Sequence, residues 1–272
     1  MNAASRADDA YLLDTIVAAT HASAAAIREH EPRVASLRWE EKSPTDFVSL
    51  VDRAAEERIA AVIAARLPDA RMLGEEITPD LRDLDEGVVF VADPLDGTTN
   101  FLHGYPAYAV SIAALVDGEL RAGAILDVPR NELFTATVGG GAKRDGKPIA
   151  VSTISEPSRA LLGTGFPFKH YDHITPYLGR LPEIMRATAG VRRPGAAALD
   201  LASVACGRFD AFWEMMLAPW DIAAGILLVR EAGGIVTDPT GIPARVAHTG
   251  IVCGNPVMHR WLLDQLTHPR SD

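Results

Sequence analysis

The stretch "GVVFVADPLDGTTN", residues 87–100, joins an apolar run rich in β-branched side chains to a cluster of acidic, turn-forming and hydroxyl residues. Short apolar runs of this kind are typical of buried strands. Asp93 and Asp96 directly follow the run, so we expect both carboxylates at the carboxyl end of a strand, where α/β proteins bind ligands. Pro94 stiffens the turn between them, and Gly97 permits close approach of the backbone to a ligand.

The chemistry of this stretch favours a hard divalent cation. Carboxylate and carbonyl oxygens are the ligands that Mg²⁺ prefers. Asp93, Asp96 and the Leu95 carbonyl are therefore candidate metal ligands, and the amides of Gly97 and Thr98 are candidate donors to a phosphate oxygen. Because an ordinary turn also explains each of these residues singly, the hypothesis depends on the rest of the chain.

Two further acidic motifs stand elsewhere in the sequence. The segment "LGEE", residues 73–76, offers Glu75 and Glu76 after a predicted strand, and "PWDIAAG", residues 219–225, sets Asp221 at the start of an apolar helix. Alone, the glutamates are typical of solvated surface charge, and Asp221 is typical of a helix N-cap. The three motifs are informative only as a set.

Composition limits the classes of function. The chain has 272 residues, 48% of them hydrophobic, so it can bury a large core as one large domain or two smaller ones. It carries 36 acidic against 26 basic residues, a formal charge of −10. This charge argues against general nucleic-acid binding, and an enzyme so acidic would need cations to act on anionic substrates.

The cellular setting is inferred from the cysteines and the N-terminal segment. Cys206 and Cys253 have no metal-ligand spacing, and a chain of this size needs no disulfides, so we expect a reducing cytoplasm. The N-terminal segment contains aspartates rather than a basic start and an apolar core, so we expect no secretory signal. We also expect no membrane span, which needs about 20 apolar residues.

Periodicity predicts two halves that meet near residues 151–157. Residues 1–152 form an α+β half with helices over Asp9–His30 and about Asp52–Leu67, followed by a β meander over residues 108–149. Residues 153–272 form an α/β half. Its predicted elements are a strand and turn at 159–166, a helix from about Asp172, a strand near Arg192, and helices at 196–207 and 221–234.

Six segments together resemble the inositol monophosphatase family in order and spacing over nearly the whole chain. They are "SPTDFVSLVD", "GEE", "DPLDGTTNF", "GTGFPF", "GAAALDLASVACGRFDAFWE" and "PWDIAAGILLVREAGG". This family lies within the Mg²⁺-dependent, lithium-sensitive phosphatase superfamily that includes the fructose-1,6-bisphosphatases. The resemblance implies a layered αβαβα sandwich of the sugar-phosphatase type, with metals at the junction of the two halves.

The resemblance also implies a metal set of two to three Mg²⁺ ions per subunit. Glu75, Asp93 and the Leu95 carbonyl would hold one ion, and Asp93, Asp96 and Asp221 a second. A third, weaker ion would also use Glu75.

Catalytic roles follow from the same resemblance. Thr98, hydrogen-bonded to Asp52, would help Glu75 to position and deprotonate the attacking water. Glu76 and Lys42 would lie near the metals in supporting roles.

The second half is implied to recognise the substrate. Glu214 would bind inositol hydroxyls, the Ala197 backbone would contact the sugar, and Asp96 would serve both metal and hydroxyl, with Gly97 and Thr98 beside the phosphate. Ala196 departs from many relatives, which carry Ser or Thr there, so a hydroxyl that contacts substrate or begins a helix is missing.

The function implied is Mg²⁺-dependent hydrolysis of myo-inositol 1-phosphate to inositol and phosphate by a homodimer. Histidinol phosphate and fructose 1,6-bisphosphate remain alternative substrates, whereas Glu214 and "GAAALD" argue against the bulky 3′-phosphoadenosine 5′-phosphate. A hypothesis of another class is that the chain acts partly as a binding partner in an RNA-processing or transcription complex.

Overall fold

The computed structural model describes residues 8–31, 39–43, 46–79, 83–168 and 171–267. Its first part contains three helices and nine strands in the described residues: α1 (Asp9–His30), β1 (Trp39–Ser43), β2 (Asp46–Ser49), α2 (Leu50–Arg66), β3 (Arg71–Gly74), β4 (Val88–Asp96), α3 (Thr98–Leu102), β5 (Ala109–Val116), β6 (Glu119–Asp127), β7 (Glu132–Thr137), β8 (Gly141–Arg144) and β9 (Lys147–Pro148). The second part contains β10 (Leu161–Thr164), α4 (Tyr171–Ala187), β11 (Gly190–Arg192), α5 (Ala197–Ala205), β12 (Ala211–Leu217), α6 (Pro219–Glu231), β13 (Ile235–Thr237), β14 (Thr249–Gly254) and α7 (Pro256–Thr267).

Two large sheets divide the chain between them. The first has seven strands in the order β3-β4-β5-β6-β7-β8-β9 and is antiparallel except for the β3–β4 pair. The second has five strands in the order β11-β10-β12-β14-β13, in which β11, β10 and β12 are parallel. The strands β1 and β2 form a separate antiparallel pair.

Helices cover these sheets in layers. On one face of the first sheet lie α1 and α2, whereas α5 and α6 pack between the two sheets. The helices α4 and α7 pack on the outer face of the second sheet. Three apolar clusters fill these interfaces, so the predicted αβαβα sandwich is confirmed.

The first helix bears on the expectation that no segment spans a membrane. Among the described residues, α1 is the one helix long and apolar enough to cross a membrane by length and composition, because alanines and branched aliphatic residues dominate it. Half of its most apolar stretch is buried inside the protein, where it packs against α2, β5 and β6. The helix is therefore buried as a core helix is. Asp8 is its N-cap and accepts a hydrogen bond from the Tyr11 amide at 2.7 Å.

The central acidic stretch lies inside a strand rather than in a turn beyond it. The whole of β4 is buried and extends through Asp96. Asp93 pairs with Ser111 and Asp96 with Ala109, so β4 has one residue more than its partner over this interval. This β-bulge, which accommodates Pro94, re-aims the two aspartates at the end of the strand.

The change from one sheet to the other falls between β9 and β10, beside the predicted boundary near residues 151–157. Nevertheless α5 and α6, which belong to the second half of the chain, pack directly on the first sheet. The largest apolar cluster therefore contains side chains from both halves. The junction between the halves is a packed layer.

A strained residue lies in β12, shortly before the start of α6. Met216 has φ of 62°, whereas the other non-glycine residues with positive φ in the described chain are Asp or Asn. The pairing of β12 with β14 slips between Glu214 and Leu217. A Cβ in this left-handed region costs roughly 1–2 kcal/mol. The bulge therefore holds Met216 in a backbone conformation that a residue with a Cβ disfavours.

We expect Met216→Gly to be more stable than Met216→Ala by about 1 kcal/mol, because both variants lose the exposed side chain but only glycine loses the strained Cβ. Urea unfolding of the two variants measures this difference. Equal stability of the two variants would show that the backbone at this position carries no strain.

Candidate active site

Four carboxylates share one electrostatic neighbourhood at the end of β4. Asp93 and Asp96 are buried, and Glu75 and Asp221 are partly exposed. Burial raises the pKa of Asp93 well above its usual value, and Glu75, Asp96 and Asp221 raise it further. Burial and then Asp221 raise the pKa of Asp96 to about 8. Three motifs that are far apart in the sequence thus meet in space.

Backbone amides hold three of these carboxylates in place. The Leu95 N–H donates to Asp93 at 2.9 Å. The Ala198 N–H donates to Asp96 at 2.8 Å. The Ala218 N–H donates to Asp221 at 2.7 Å. Asp221 is accordingly the third residue of α6 and not its N-cap, which is Ala218.

The donor set fits a hard divalent cation. The charges that act most strongly on Asp93 within the described residues are all carboxylates. Within the described ranges, however, no three His, Cys, Asp or Glu side chains are already grouped to hold an ion. The residue types and their burial suit Mg²⁺.

Thr98 connects the acidic cluster to α2. Its hydroxyl lies 2.8 Å from Asp52 Oδ1 and 3.1 Å from the Leu95 carbonyl. One hydroxyl proton cannot serve both acceptors fully, and the shorter contact to the carboxylate is the stronger. The predicted hydrogen bond between Thr98 and Asp52 is therefore present, and it leaves the Leu95 carbonyl oxygen available.

Glu56 is a residue of the site that the sequence analysis missed. Its buried carboxylate on α2 accepts from the Glu76 amide at 2.7 Å and from the Ile77 amide at 2.9 Å. Burial raises the pKa of Glu56, and these amides oppose the rise. The carboxylate thereby holds the loop that carries Glu75. Its position four residues after Asp52, on the same helical face, was the available signal.

The start of α5 explains the departure at Ala196. Ala196 is the N-cap, and its side chain makes no capping hydrogen bond. Asp96 accepts from the Ala198 amide instead, and the Ala197 amide also lowers its pKa. A carboxylate from β4 thus caps α5 from a distance in sequence, which compensates for the missing hydroxyl.

Glu214, predicted to bind inositol hydroxyls, extends from β12 toward the same cluster. Burial raises its pKa to about 8, Asp221 and Asp96 add to the rise, and Arg193 opposes it. A Cβ at Gly165 would lie 1.9 Å from the Glu214 carboxyl carbon. Only glycine at position 165 leaves room for this carboxylate.

Asn100, the last residue of the opening stretch, binds the two halves together. Its side-chain amide lies within 2.7 Å of the Ala107 carbonyl, 3.0 Å of Pro194 and 3.3 Å of Gly195. The sequence analysis gave it no role, because nothing local indicates that an asparagine will reach across about 95 residues. Asn100 therefore fixes the segment that leads into α5.

The remaining predicted residues lie as follows. Gly97 and Thr98 stand at the start of α3, where first-turn amides lack intrahelical acceptors. Lys42 lies in β1, and its side chain is outside the described part of the structure.

Asp200 is a further acidic residue near the site that was not predicted. It is buried on α5, and burial, Glu214 and Asp96 raise its pKa well above the usual value.

Comparison with known proteins identifies the family of the chain. The inositol monophosphatase family model matches residues 8–270. A relative named Nus factor SuhB, from Pseudomonas aeruginosa, is 47% identical over 227 residues, which cover 82% of this chain and 83% of the relative. An inositol-1-monophosphatase from Rhizobium meliloti is 40% identical over 258 residues, which cover 95% of this chain and 97% of the relative.

Solved structures show the same similarity. The extragenic suppressor protein suhB from Bartonella henselae superposes with a TM-score of 0.86 at 40% identity, covering 93% of this chain and 97% of the other. An inositol monophosphatase from Anabaena superposes with a TM-score of 0.82 at 37% identity, covering 93% of this chain and 94% of the other.

The acidic cluster predicts a pH-dependent stability in the absence of divalent cations. Because folding raises the pKa of Asp96 from 3.8 to about 8, its contribution is fully present below the unfolded value and is lost as pH rises through about 8. With a chelator, thermal unfolding should therefore occur at lower temperature at about pH 8.5 than at about pH 5.5. Added Mg²⁺ should raise the unfolding temperature more at the higher pH. A chelated protein that is equally stable at both values would contradict this reading.

The Glu56 contacts predict an indirect effect on metal binding. Glu56→Gln loses one of two carboxylate acceptors for the Glu76 and Ile77 amides, so the loop with Glu75 should loosen and Mg²⁺ affinity should fall about 10-fold or more. Calorimetric titration with Mg²⁺ measures the change. Glu57→Gln, on the exposed face of the same helix, is the matched control. Unchanged affinity in a folded Glu56→Gln variant would disprove the role.

Proposed function

Because the chain belongs to the inositol monophosphatase family, we propose that it is a phosphomonoesterase that hydrolyses myo-inositol 1-phosphate and related inositol monophosphates. The observation that carries the proposal is the acidic cluster of Glu75, Asp93, Asp96 and Asp221 with the Thr98–Asp52 hydrogen bond beside it. A repelling set of carboxylates, two of them buried, is costly to keep unless a cation neutralises their charge.

The family is generally dependent on Mg²⁺, and Glu75, Asp93, Asp96, Asp221 and the Leu95 carbonyl are the residues we propose as ligands for two to three ions. Bound Mg²⁺ would neutralise phosphate charge and make water a better nucleophile. This chemistry matches the reaction, since uncatalysed phosphate-monoester hydrolysis demands accelerations of up to about 10²¹-fold.

The protein's own groups would orient water and handle its proton. Since Thr98 donates its proton to Asp52, its oxygen lone pairs can accept a hydrogen bond from the attacking water. Glu75 lies on the loop that Glu56 holds through the Glu76 amide. Its carboxylate would accept the proton of the attacking water. The Gly97 and Thr98 amides at the start of α3 would donate to phosphate oxygens.

The substrate alcohol would lie between Glu214 and the start of α5. Glu214 and Asp96 offer oxygens that accept from hydroxyl groups, and the Ala197 backbone lies against Asp96. A polyol has hydroxyls on several carbons and can use both acceptors, which supports an inositol phosphate. Histidinol phosphate and fructose 1,6-bisphosphate are the alternatives within the same chemistry.

A second proposal concerns a partner. Several relatives at 44–47% identity bear the name Nus factor SuhB. We propose that this chain also acts in part as a binding partner in an RNA or transcription complex. We further propose that it is a homodimer and that it works in the cytoplasm. Affinity purification of the tagged protein from its own cells, followed by mass spectrometry, tests this; recovery of the protein alone would contradict it.

Asp93 provides the direct test of the phosphatase proposal. Asp93→Asn nearly preserves shape but removes the charge that both proposed ions need, so phosphate release from myo-inositol 1-phosphate should fall about 10²-fold or more. Circular dichroism and thermal unfolding should show a folded protein. Asp69→Asn, in the exposed turn after α2, is the control and should remain fully active. A fully active Asp93→Asn variant would overturn the site.

A further inference from the structure

Ser23 lies on the buried face of α1, and its side chain reaches the acidic stretch of β4. Its hydroxyl donates to the Pro94 carbonyl at 3.2 Å, across 71 residues of sequence. Both residues are buried. Because Pro94 stands between Asp93 and Leu95 in the bulge, this hydrogen bond joins a core helix to the backbone of the proposed metal ligands.

The direction of the Ser23 hydroxyl differs from the usual one inside a helix. Serine and threonine hydroxyls in helices commonly donate to the carbonyl four residues earlier. Thr188 and Thr267 follow this pattern, each at 2.8 Å. Ser23 instead donates to another element. A hydroxyl that is used outside its own helix holds two elements together, and here the second element is the end of β4.

The Pro94 carbonyl lies at the bulge, where the regular ladder of the sheet is interrupted. The register of β4 with β5 shifts between Asp93 and Asp96, and Pro94 falls in that interval. A bulge leaves its extra residue outside the regular pairing, and a buried carbonyl needs a hydrogen-bond donor. Ser23 provides such a donor from outside the sheet.

The peptide group between Pro94 and Leu95 is held at both of its ends. Its carbonyl accepts from the Ser23 hydroxyl at 3.2 Å, and its N–H donates to Asp93 Oδ1 at 2.9 Å. A peptide group is planar, so its C=O and its N–H turn together. The hydrogen bond from Ser23 therefore also fixes the direction of the N–H that orients the Asp93 carboxylate.

The next carbonyl along the chain, that of Leu95, is itself a proposed metal ligand and lies 3.1 Å from the Thr98 hydroxyl. Consecutive peptide groups share a Cα and are joined by only two soft dihedral angles. A rotation of the Pro94–Leu95 peptide group would therefore change the direction of the Leu95 carbonyl as well. Ser23 thus acts on two proposed ligands through the backbone that carries them.

A second buried hydroxyl of α1 shows that burial alone does not give such a role. Thr20, one turn before Ser23, is equally buried, but its hydroxyl has no hydrogen-bond partner in the part of the chain that the structure describes. The buried neighbours Ala19 and Ala24 are small, so the helix can approach other elements closely. The partner at Pro94 is what distinguishes Ser23 from Thr20.

We propose that Ser23 is a positioning residue for the divalent cations, an inference that rests on the metal-dependent function proposed above. It keeps the Pro94–Leu95 peptide group in the orientation that sets the directions of the Asp93 carboxylate and the Leu95 carbonyl. Loss of the hydroxyl gives this peptide group more freedom, so the cations should bind more weakly. The rate of reaction with the ions bound should change little.

Ser23→Ala tests the proposal, because it removes the hydroxyl and keeps the Cβ. Calorimetric titration with Mg²⁺ should show an affinity about 10-fold lower than that of the wild type. The Mg²⁺ concentration for half-maximal release of phosphate from myo-inositol 1-phosphate should rise about as much, whereas kcat at saturating Mg²⁺ should stay within about twofold. Ser23→Cys should be intermediate, since a thiol is a weaker donor.

Thr20→Val is the control, because it removes a buried hydroxyl from the same face of α1 and keeps the shape of the side chain. It should leave both the Mg²⁺ affinity and kcat unchanged. An unchanged Mg²⁺ affinity in Ser23→Ala would overturn the proposal, even if the unfolding temperature fell, because Ser23 would then serve only the fold. An equal loss of affinity in Thr20→Val would overturn it as well.

The titration also separates this inference from the function on which it rests. If the wild-type protein binds no Mg²⁺, the proposed metal site fails and the role of Ser23 fails with it. If the wild type binds Mg²⁺ but does not cleave the substrate, the phosphatase proposal fails, and calorimetry still decides the role of Ser23. If Ser23→Ala does not fold, the Mg²⁺ affinities of Ser23→Cys and Thr20→Val decide it in the same way.

Discussion

Repulsion among carboxylates at the end of β4 is the constraint on which the rest of the site depends. Burial raises the pKa of both Asp93 and Asp96, and the charges of Glu75 and Asp221, which approach from other elements, raise both pKa values further. Such a cluster destabilises the fold unless it is neutralised, so its presence in the fold is itself a functional signal. The surrounding structure is arranged to hold these groups: a bulge in β4, amides at the starts of α5 and α6, and Glu56 beneath the Glu75 loop.

The layered fold holds these acidic side chains close together. The sheet edge that carries Asp93 and Asp96 meets α5 and α6, which come from the second half of the chain and pack between the sheets. The proposed metal ligands from the first half and from α6 are therefore fixed by one shared core. Small displacements of either half would change the distances among the acidic groups. Asn100 and Asp96 both bridge the two halves, and these contacts limit such displacements.

Much of this arrangement follows from local sequence. The helices α1 and α2, the β meander and the segments around α5 and α6 have clear periodicity or turn residues, and the acidic motifs identify themselves by residue type. Strand β12 was not assigned, because its apolar residues stand between two helix-like segments. The roles of Glu56 and Asn100 depend on partners 20 and 95 residues away in sequence, which no local pattern contains. The bulge at Asp93–Asp96 was read as a turn because Pro and Gly favour both.

The central claim is that the carboxylates around β4 are a divalent-cation site, and anomalous scattering from Mn²⁺-soaked crystals tests it most directly. Mn²⁺ uses the same oxygen ligands as Mg²⁺ and can be located without ambiguity. The account predicts anomalous peaks within ligating distance of Asp93, with Glu75, Asp96 and Asp221 drawn toward them, and no such peaks in Asp93→Asn crystals. Peaks confined to other acidic surfaces, or none at Asp93 under saturating Mn²⁺, would contradict it.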